Sequence, residues 1–242
     1  MVAAGRVASR SRAADLIAMG RVCRDDKVLS KPSVRISAEN AATLDVQDYA
    51  WVGRGGLKLE GLLKQQYDVQ LSGYNYGLDL GASTGGFTQV LLSAGVRHVY
   101  AVDVGTDQLH SQLRDDKRIT VMEGQDVRHL DSCLIPHAPD VVVADLSFIS
   151  LVRALPAALA LAGPEALLLV LVKPQFELDI TAIGKGGIVR DKTQHLAAVD
   201  RVAQWLMRQG WVVKHQCPCL LSGHDGNQEY WIVAQRHSDC LR

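Results

Sequence analysis

Two lysines and two carboxylic acids stand next to apolar segments, where charged groups are unexpected. Lys173 directly follows the run ALLLVLV, and Asp145 follows DVVVA. Lys58 lies in RGGLKLE and Glu229 in GNQEYWIV. A lysine is rarely buried without a partner, so we expect these four groups to meet. Such a set can orient a hydroxyl group or take its proton, whereas the structural alternative is an ion-pair network that ties strand ends together.

The role of Lys173 stays open at this level. Burial and a second cation, Lys58, favour a neutral lysine, and the two acids favour a charged one. Lys173 is therefore either a general base or an oriented hydrogen-bond partner of the acceptor oxygen.

The segments that carry these residues alternate between strand and helix patterns from Tyr76 onward. This alternation predicts an α/β fold with right-handed βαβ units and a mostly parallel, Rossmann-like sheet. Because the carboxyl ends of parallel strands meet at one edge, Asp145 and Lys173 are predicted to lie within contact range. The last two strands have only a glycine-containing loop between them and should form an antiparallel edge hairpin. The predicted strands are YGLDL, HVYAVDV, ITVMEG, DVVVADL, ALLLVLV, WVVKHQC and YWIVAQ, and the helices 87–94, 107–115, 150–162 and 193–209.

A glycine-rich turn follows the first of these strands, in GLDLGASTGGFTQVLL. Glycines and a helix N-terminus let backbone amides approach a ligand. The order is GxxxGG after an acid rather than the GxGxxG of dinucleotide sites. It fits S-adenosylmethionine (SAM), which has a carboxylate and an amino group but no pyrophosphate. The predicted contacts in this turn are Asp79, Gly81, Ser83, Gly85, Gly86 and Phe87.

Acids at the following strand ends support the same cofactor. Asp103 is placed to accept from the ribose hydroxyls, Asp126 from the adenine amino group, and Asp145 lies where the methyl group should project. Single acids at such positions can instead cap helices. Phe148, close to Asp145, either stacks on a base or belongs to the core.

The N-terminal segment differs from the rest in charge. Residues 1–36 carry eight Arg and Lys against three Asp, a net charge of +5 in a chain whose total is zero. A helix capped by Ser9 or Ser11 and a hairpin turning at Asp25-Asp26 predict a small α+β module, either an RNA-binding unit or a merely solvated one. We expect this module at 1–46, a linker at 47–53 and the larger domain at 54–242. The predicted RNA contacts are Arg6, Arg10, Arg12, Arg21, Lys27 and Lys31.

Other features of composition narrow the class of protein. The five cysteines show no CxxC pair, and neither they nor the eight histidines have metal-ligand spacing, so we expect reduced thiols and no metal. We expect no signal peptide and no membrane-spanning segment, because no apolar run of the required length is present. We expect a soluble cytoplasmic protein.

The motifs together resemble a known family. The segments RGGLKLE, LGASTGGF, DLSFIS, VKPQFE and NQEY, in this order, resemble the FtsJ-like ribose 2′-O-methyltransferases, and more closely the TlyA-type, or haemolysin-like, rRNA methyltransferases. The segment GKGGIVRD is also present, as a mobile loop over RNA or a plain surface turn. The stretch SRSRAADLIAMGRV…KVLSKPSVRIS is similar to the S-four-type RNA-binding domain.

The resemblance implies a function and a site. The implied reaction is SAM-dependent 2′-O-methylation of cytidine in ribosomal RNA, with ribosomal subunits as partners and Lys58, Asp145, Lys173 and Glu229 as catalytic residues. Two other functions stay open, namely a membrane-active haemolysin and a non-catalytic RNA-binding or ribosome assembly factor.

Overall fold

The computed structural model describes residues 1–31, 33–34, 36–66, 69–223 and 226–236. The chain forms two compact units, Met1–Arg54 and Gly55–Arg242. The four cysteines among the described residues are free thiols, and Cys240 lies outside this part of the chain.

The first unit combines short helices with a small antiparallel sheet. Ser9 caps its first helix by accepting a hydrogen bond from the Arg12 amide, which confirms one of the two predicted caps. Asp25 and Asp26 both have positive φ, as a tight hairpin turn requires, and the predicted hairpin is confirmed. Its elements are α1 (Arg10–Ala18), β1 (Val22–Arg24), β2 (Lys27–Val28), α2 (Ala38–Ala42) and β3 (Asp45–Val46), with the strands in the order β2-β1-β3.

The region after this hairpin contains more structure than its sequence indicates. Residues 38–46 form α2 and β3, and Val46 pairs with Val22. The predicted linker at 47–53 lies within the first unit. It is held there by side-chain bonds to backbone carbonyls, which leave no periodic pattern in a sequence.

Two arginines make most of those bonds. Arg6 donates to the carbonyls of Ala42 and Leu44, at 3.3 and 2.5 Å. Arg12 stacks on the Tyr49 ring at 3.4 Å and donates to Asp48 at 2.7 Å. It also donates to two carbonyls, those of Tyr49 and Trp51.

These hydrogen bonds affect which of the predicted RNA-binding residues are suited to bind RNA. Arg6, although exposed, and Arg12 donate hydrogen bonds to groups of their own unit. Arg10, Lys27 and Lys31 are exposed as well, and Arg21 is half-buried. A role in RNA binding therefore rests on the latter four.

The second unit is built on one seven-stranded sheet. Strands β4 to β8 are parallel, and β10 runs antiparallel to both β8 and β9. This confirms the predicted Rossmann-like sheet with an antiparallel edge hairpin. The sheet order is β6-β5-β4-β7-β8-β10-β9. The strands are β4 (Tyr76–Leu80), β5 (His98–Asp103), β6 (Ile119–Glu123), β7 (Val141–Ala144), β8 (Leu167–Val172), β9 (Trp211–Pro218) and β10 (Tyr230–Arg236). The helices are α3 (Arg54–Gln65), α4 (Gly86–Ser93), α5 (Ser111–Arg114), α6 (Leu151–Ala154), α7 (Pro156–Leu161), α8 (Pro174–Glu177) and α9 (Lys192–Arg208).

Two of the predicted helices were wrong in extent. The helix expected at 107–115 is reduced to α5, because the Glu123 carboxylate binds the amides of Asp107, Gln108 and Leu109 and holds them in a loop. The helix expected at 150–162 is divided into α6 and α7 at Pro156, which has no amide hydrogen to continue the first helix.

The role of Arg12 can be tested by its effect on stability. We expect Arg12→Ala to speed amide hydrogen exchange at residues 42–51 by roughly 5- to 100-fold, because it removes partly buried bonds worth about 1–3 kcal/mol together. Lys27→Ala, at an exposed position of the same unit, is the control and should leave exchange unchanged. Equal exchange in the two variants would contradict a structural role for Arg12.

Candidate active site

The fold brings the four charged residues to one edge of the sheet. Asp145 directly follows β7 and Lys173 directly follows β8, and these two strands are parallel neighbours. Tyr230 pairs with Val172, so antiparallel β10 begins where β8 ends, which places Glu229 at the same edge. Lys58 reaches it from helix α3.

The four side chains form a row of alternating charge. Glu229 Oε2 lies 2.8 Å from Lys58 Nζ, and Lys58 Nζ lies 3.2 Å from Asp145 Oδ2. The other oxygen of Asp145 lies 2.7 Å from Lys173 Nζ. The side chains are between 3% and 18% exposed, so water screens these contacts only weakly.

The row fixes the charge of its two central members. Burial alone would favour a neutral lysine, but the charges of Asp145 and Glu229 outweigh it and raise the pKa of Lys58. Burial likewise opposes a charged Asp145, yet the two lysines lower the pKa of that carboxyl. Lys58 and Asp145 are thus charged at neutral pH, and neither is poised to exchange a proton there.

Sequence reasoning missed one partner of Lys173. Its ammonium group donates to the Ser147 hydroxyl at 2.8 Å, in addition to its contact with Asp145. Ser147 lies in the segment DLSFIS, but a serine in a loop gave no signal of this contact.

Glu177 is a second residue that the sequence did not indicate, and its carboxylate fixes the loop that carries Ser147. It is 3% exposed and accepts from the Ser150 hydroxyl at 2.6 Å and from the Leu151 amide at 2.7 Å. Burial raises the pKa of Glu177, and these two bonds oppose the rise. In the same loop, Phe148 has a φ of +65° and is 91% exposed, so a core role for this residue is wrong.

A cavity of about 1010 Å³ opens at Asp145, the member of the row that lines it. Several predicted cofactor contacts line it together with residues of the two loops that follow β7 and β8. Its volume suits a ligand the size of SAM with further room for part of a second molecule. The predicted contacts that line it are Gly81, Ser83, Asp103, Asp126 and Asp145.

Two of these acids already have backbone partners. Asp103 accepts from the amides of Ser83 and Gly105, both at 2.8 Å, and so fixes the glycine-rich turn. Asp126 caps a short 3₁₀ turn through the Arg128 amide and pairs with the Arg128 guanidinium, which lowers the pKa of Asp126 to about 2. The capping alternative is thus correct for Asp126, although each carboxylate oxygen has a second lone pair for a ligand.

The remaining predicted cofactor contacts lie deeper. Phe87 is 3% exposed and stacks on Trp231, which makes it a core residue, and the helix that it was expected to open begins at Gly86. A Cβ atom on Gly85 would come within 2.4 Å of Leu113, and one on Gly81 within 2.8 Å of the Asp145 carbonyl. Both glycines therefore allow close packing of the chain on itself at the cavity wall.

Asp79 is the most unusual acid of the region. It is fully buried and accepts from the Thr88 hydroxyl at 2.6 Å, while its Oδ1 atom has no hydrogen-bond partner in the described part of the chain. Burial raises the pKa of Asp79 to about 7, against the pull of the Thr88 bonds. An acceptor left unsatisfied beside the glycine-rich turn fits a ligand that carries an amino group.

The segment GKGGIVRD is fixed at its second half. The Val189 amide donates to Asn227 at 3.0 Å, and the Val189 carbonyl lies 2.8 Å from His195 Nε2. Asn227 precedes Glu229 by two residues and accepts at its carbonyl from the Gly223 amide. A Cβ atom on Gly223 would lie 2.7 Å from Glu229 Oε1, so only glycine leaves that carboxylate in place.

Comparison with known proteins gives the geometry its context. The family of FtsJ-like methyltransferases matches residues 51–236. The 16S/23S rRNA (cytidine-2′-O)-methyltransferase TlyA of Mycobacterium tuberculosis is 40% identical over 99% of this chain and 89% of its own. A solved structure of a proposed hemolysin from Streptococcus thermophilus is 33% identical, with a TM-score of 0.77 over 95% of this chain and 83% of its own. An S-adenosylmethionine-dependent methyltransferase of Mesorhizobium loti shares the fold alone, at 17% identity and a TM-score of 0.52 over 76% of this chain and all of its own.

The state of Asp79 predicts a pH-dependent stability. An unfolded Asp ionises near pH ~3.9, whereas Asp79 in the folded protein stays neutral up to pH about 7. The stability contributed by the neutral carboxyl is complete below pH ~4 and is lost as the pH rises to 7, by up to roughly 4 kcal/mol. We expect Asp79→Asn to raise the free energy of unfolding at pH 8 by ~2–4 kcal/mol and to change it little at pH 4.

Denaturant unfolding at both pH values measures this, with Asp116→Asn at an exposed ion pair as the control. The same Asp79→Asn protein should bind SAM more weakly, since it lacks an ionisable acceptor. A loss of stability at pH 8 would contradict this account of Asp79.

Proposed function

The chain belongs to the FtsJ-like methyltransferase family, and we propose that it methylates the ribose 2′-hydroxyl of a cytidine in ribosomal RNA with SAM as methyl donor. The observation that carries the proposal is the row Glu229–Lys58–Asp145–Lys173 beside a cavity large enough for a cofactor and part of an acceptor. The name of the Mycobacterium tuberculosis relative supports the choice of cytidine and of ribosomal RNA. With that substrate, we place its action in the cytoplasm.

The cofactor is assigned to the residues that fit its groups. Asp79 suits the amino group, because its Oδ1 atom has no partner within the described residues. Asp103 suits the ribose hydroxyls and Asp126 the adenine edge. Bound SAM supplies an electrophilic methyl group. Everything else in the reaction depends on how the protein holds the acceptor hydroxyl.

Lys173 is the residue we assign to that hydroxyl. Asp145 and Ser147 fix its ammonium group from two sides, so one further N–H can point to the 2′-oxygen. Held in this way, Lys173 aligns the oxygen for in-line displacement, a step in which positioning supplies much of the acceleration.

RNA recognition is divided between two sets of residues. We assign phosphate contacts to Arg10, Arg21, Lys27 and Lys31 of the N-terminal S-four-type module, since cations meet phosphates regardless of sequence. Phe148, which is 91% exposed beside Asp145, is suited to stack on the acceptor base.

The two rival functions are less well supported. No helix among the described residues is long and apolar enough to cross a membrane. A non-catalytic RNA-binding factor would have no use for two buried lysines joined to two buried acids. Lysis of red cells by the purified protein without SAM would favour the haemolysin instead.

The decisive experiment is methylation of purified ribosomal subunits with labelled SAM, followed by mapping of the modified nucleotide. We expect label on a cytidine ribose, and we expect Lys173→Ala to lower the rate at least ~10³-fold while SAM affinity stays within about twofold, because the cofactor contacts are intact.

Lys64→Ala is the matched control, since Lys64 lies on α3 with a 72% exposed side chain paired to Glu60. Transfer by Lys173→Ala at a rate near that of the wild type would overturn the catalytic assignment. Label on a base rather than a ribose would overturn the proposed reaction.

A further inference from the structure

Gln175 is a buried amide with no established role. It lies in α8, two residues after Lys173, and is only 9% exposed. Its Oε1 atom has no hydrogen-bond partner within the described residues. Buried polar atoms are nearly always hydrogen-bonded, and one without a partner lowers the stability of the protein. Such an atom is therefore a candidate to bind a ligand that supplies the missing hydrogen bond.

The surroundings of Gln175 indicate where that partner comes from. Its side chain lines the cavity that Asp145 and Phe148 also line. Oε1 itself is covered, and because the terminal torsion of glutamine is broad, a base in the cavity could reach it if the amide rotates. The adjacent Phe176 ring lies 5.3 Å from that of Phe148, so amide and aromatic faces share one wall.

This combination is the one that a nucleobase needs. An unstacked base is held by an aromatic face and read along its polar edge. Arg153 and Arg201 line the same cavity and supply positive charge for a flanking phosphate. The wall thus offers a stacking surface, a hydrogen-bond acceptor and cations in one place.

We propose that Gln175 is the specificity-determining residue that reads the acceptor base, an inference that rests on the proposed function. The unsatisfied atom is an acceptor, so the base must bring a donor. Cytosine does so with its exocyclic N4 amino group, whereas uracil has an oxygen at that position, which could pair only with the Gln175 NH2 group and would bring Oε1 no donor from there. The amide therefore favours cytidine over uridine as methyl acceptor.

The test compares full-length variants on two substrates. The substrates are ribosomal subunits with the mapped acceptor cytidine and the same subunits with uridine there. Gln175→Met keeps the length of the side chain and removes the amide. We expect it to lower the ratio of kcat/KM for cytidine over uridine by at least about tenfold, with SAM affinity unchanged.

A stability measurement separates this role from a structural one. Because Oε1 has no partner among the described residues, Gln175→Met should have a Tm equal to or above that of the wild type. Gln175→Glu keeps an acceptor oxygen and should retain the preference for cytidine. Gln204→Met, on the exposed face of α9, is the control and should change neither quantity.

The outcomes are distinct. A Gln175→Met protein that keeps its preference for cytidine, with or without a lower Tm, overturns the inference and leaves the proposed function standing. Loss of the preference in Gln175→Glu as well as in Gln175→Met also overturns it. Wild-type protein that methylates neither substrate refutes the proposed function, and the inference with it.

Discussion

The structure depends on one arrangement, the buried alternation of charge from Glu229 through Lys58 and Asp145 to Lys173. The two inner members of the row, Lys58 and Asp145, each contact two groups of opposite sign, so neither charge is buried without a partner. Removing one partner from such a set leaves an uncompensated charge, which typically costs about 3–5 kcal/mol. The row therefore fixes three elements, helix α3 and the ends of β8 and β10, relative to the tip of β7.

The topology of the sheet is what makes this row possible. Parallel strands β7 and β8 present Asp145 and Lys173 at their carboxyl ends. An antiparallel β10 beside β8 begins at that edge, so its first residues reach the same site. The same edge carries the glycine-rich turn, so under the proposed function cofactor and acceptor share one cavity.

Much of this could be predicted from the sequence. Runs such as ALLLVLV are predicted to be buried strands, and a charged residue directly after such a run then lies at a strand end. Contacts made through loops could not be predicted, because Ser147 and Glu177 act across turns whose geometry no periodicity encodes. The break before Pro156 is encoded in the sequence, because proline has no amide hydrogen to continue a helix. The role of Arg12 inside its own unit is not, because an arginine that binds its own unit looks the same in a sequence as one that binds phosphate.

The central claim is that the row acts as one unit, and a double-mutant cycle on the single-turnover rate of methyl transfer tests it most directly. Among the ion pairs of the described residues, Glu229 contacts the row only through Lys58. Glu229→Gln should therefore slow transfer roughly tenfold or more in the wild-type protein, but less than about twofold in a Lys58→Met background. Equal losses in both backgrounds would contradict the account, since Glu229 would then act independently of the row.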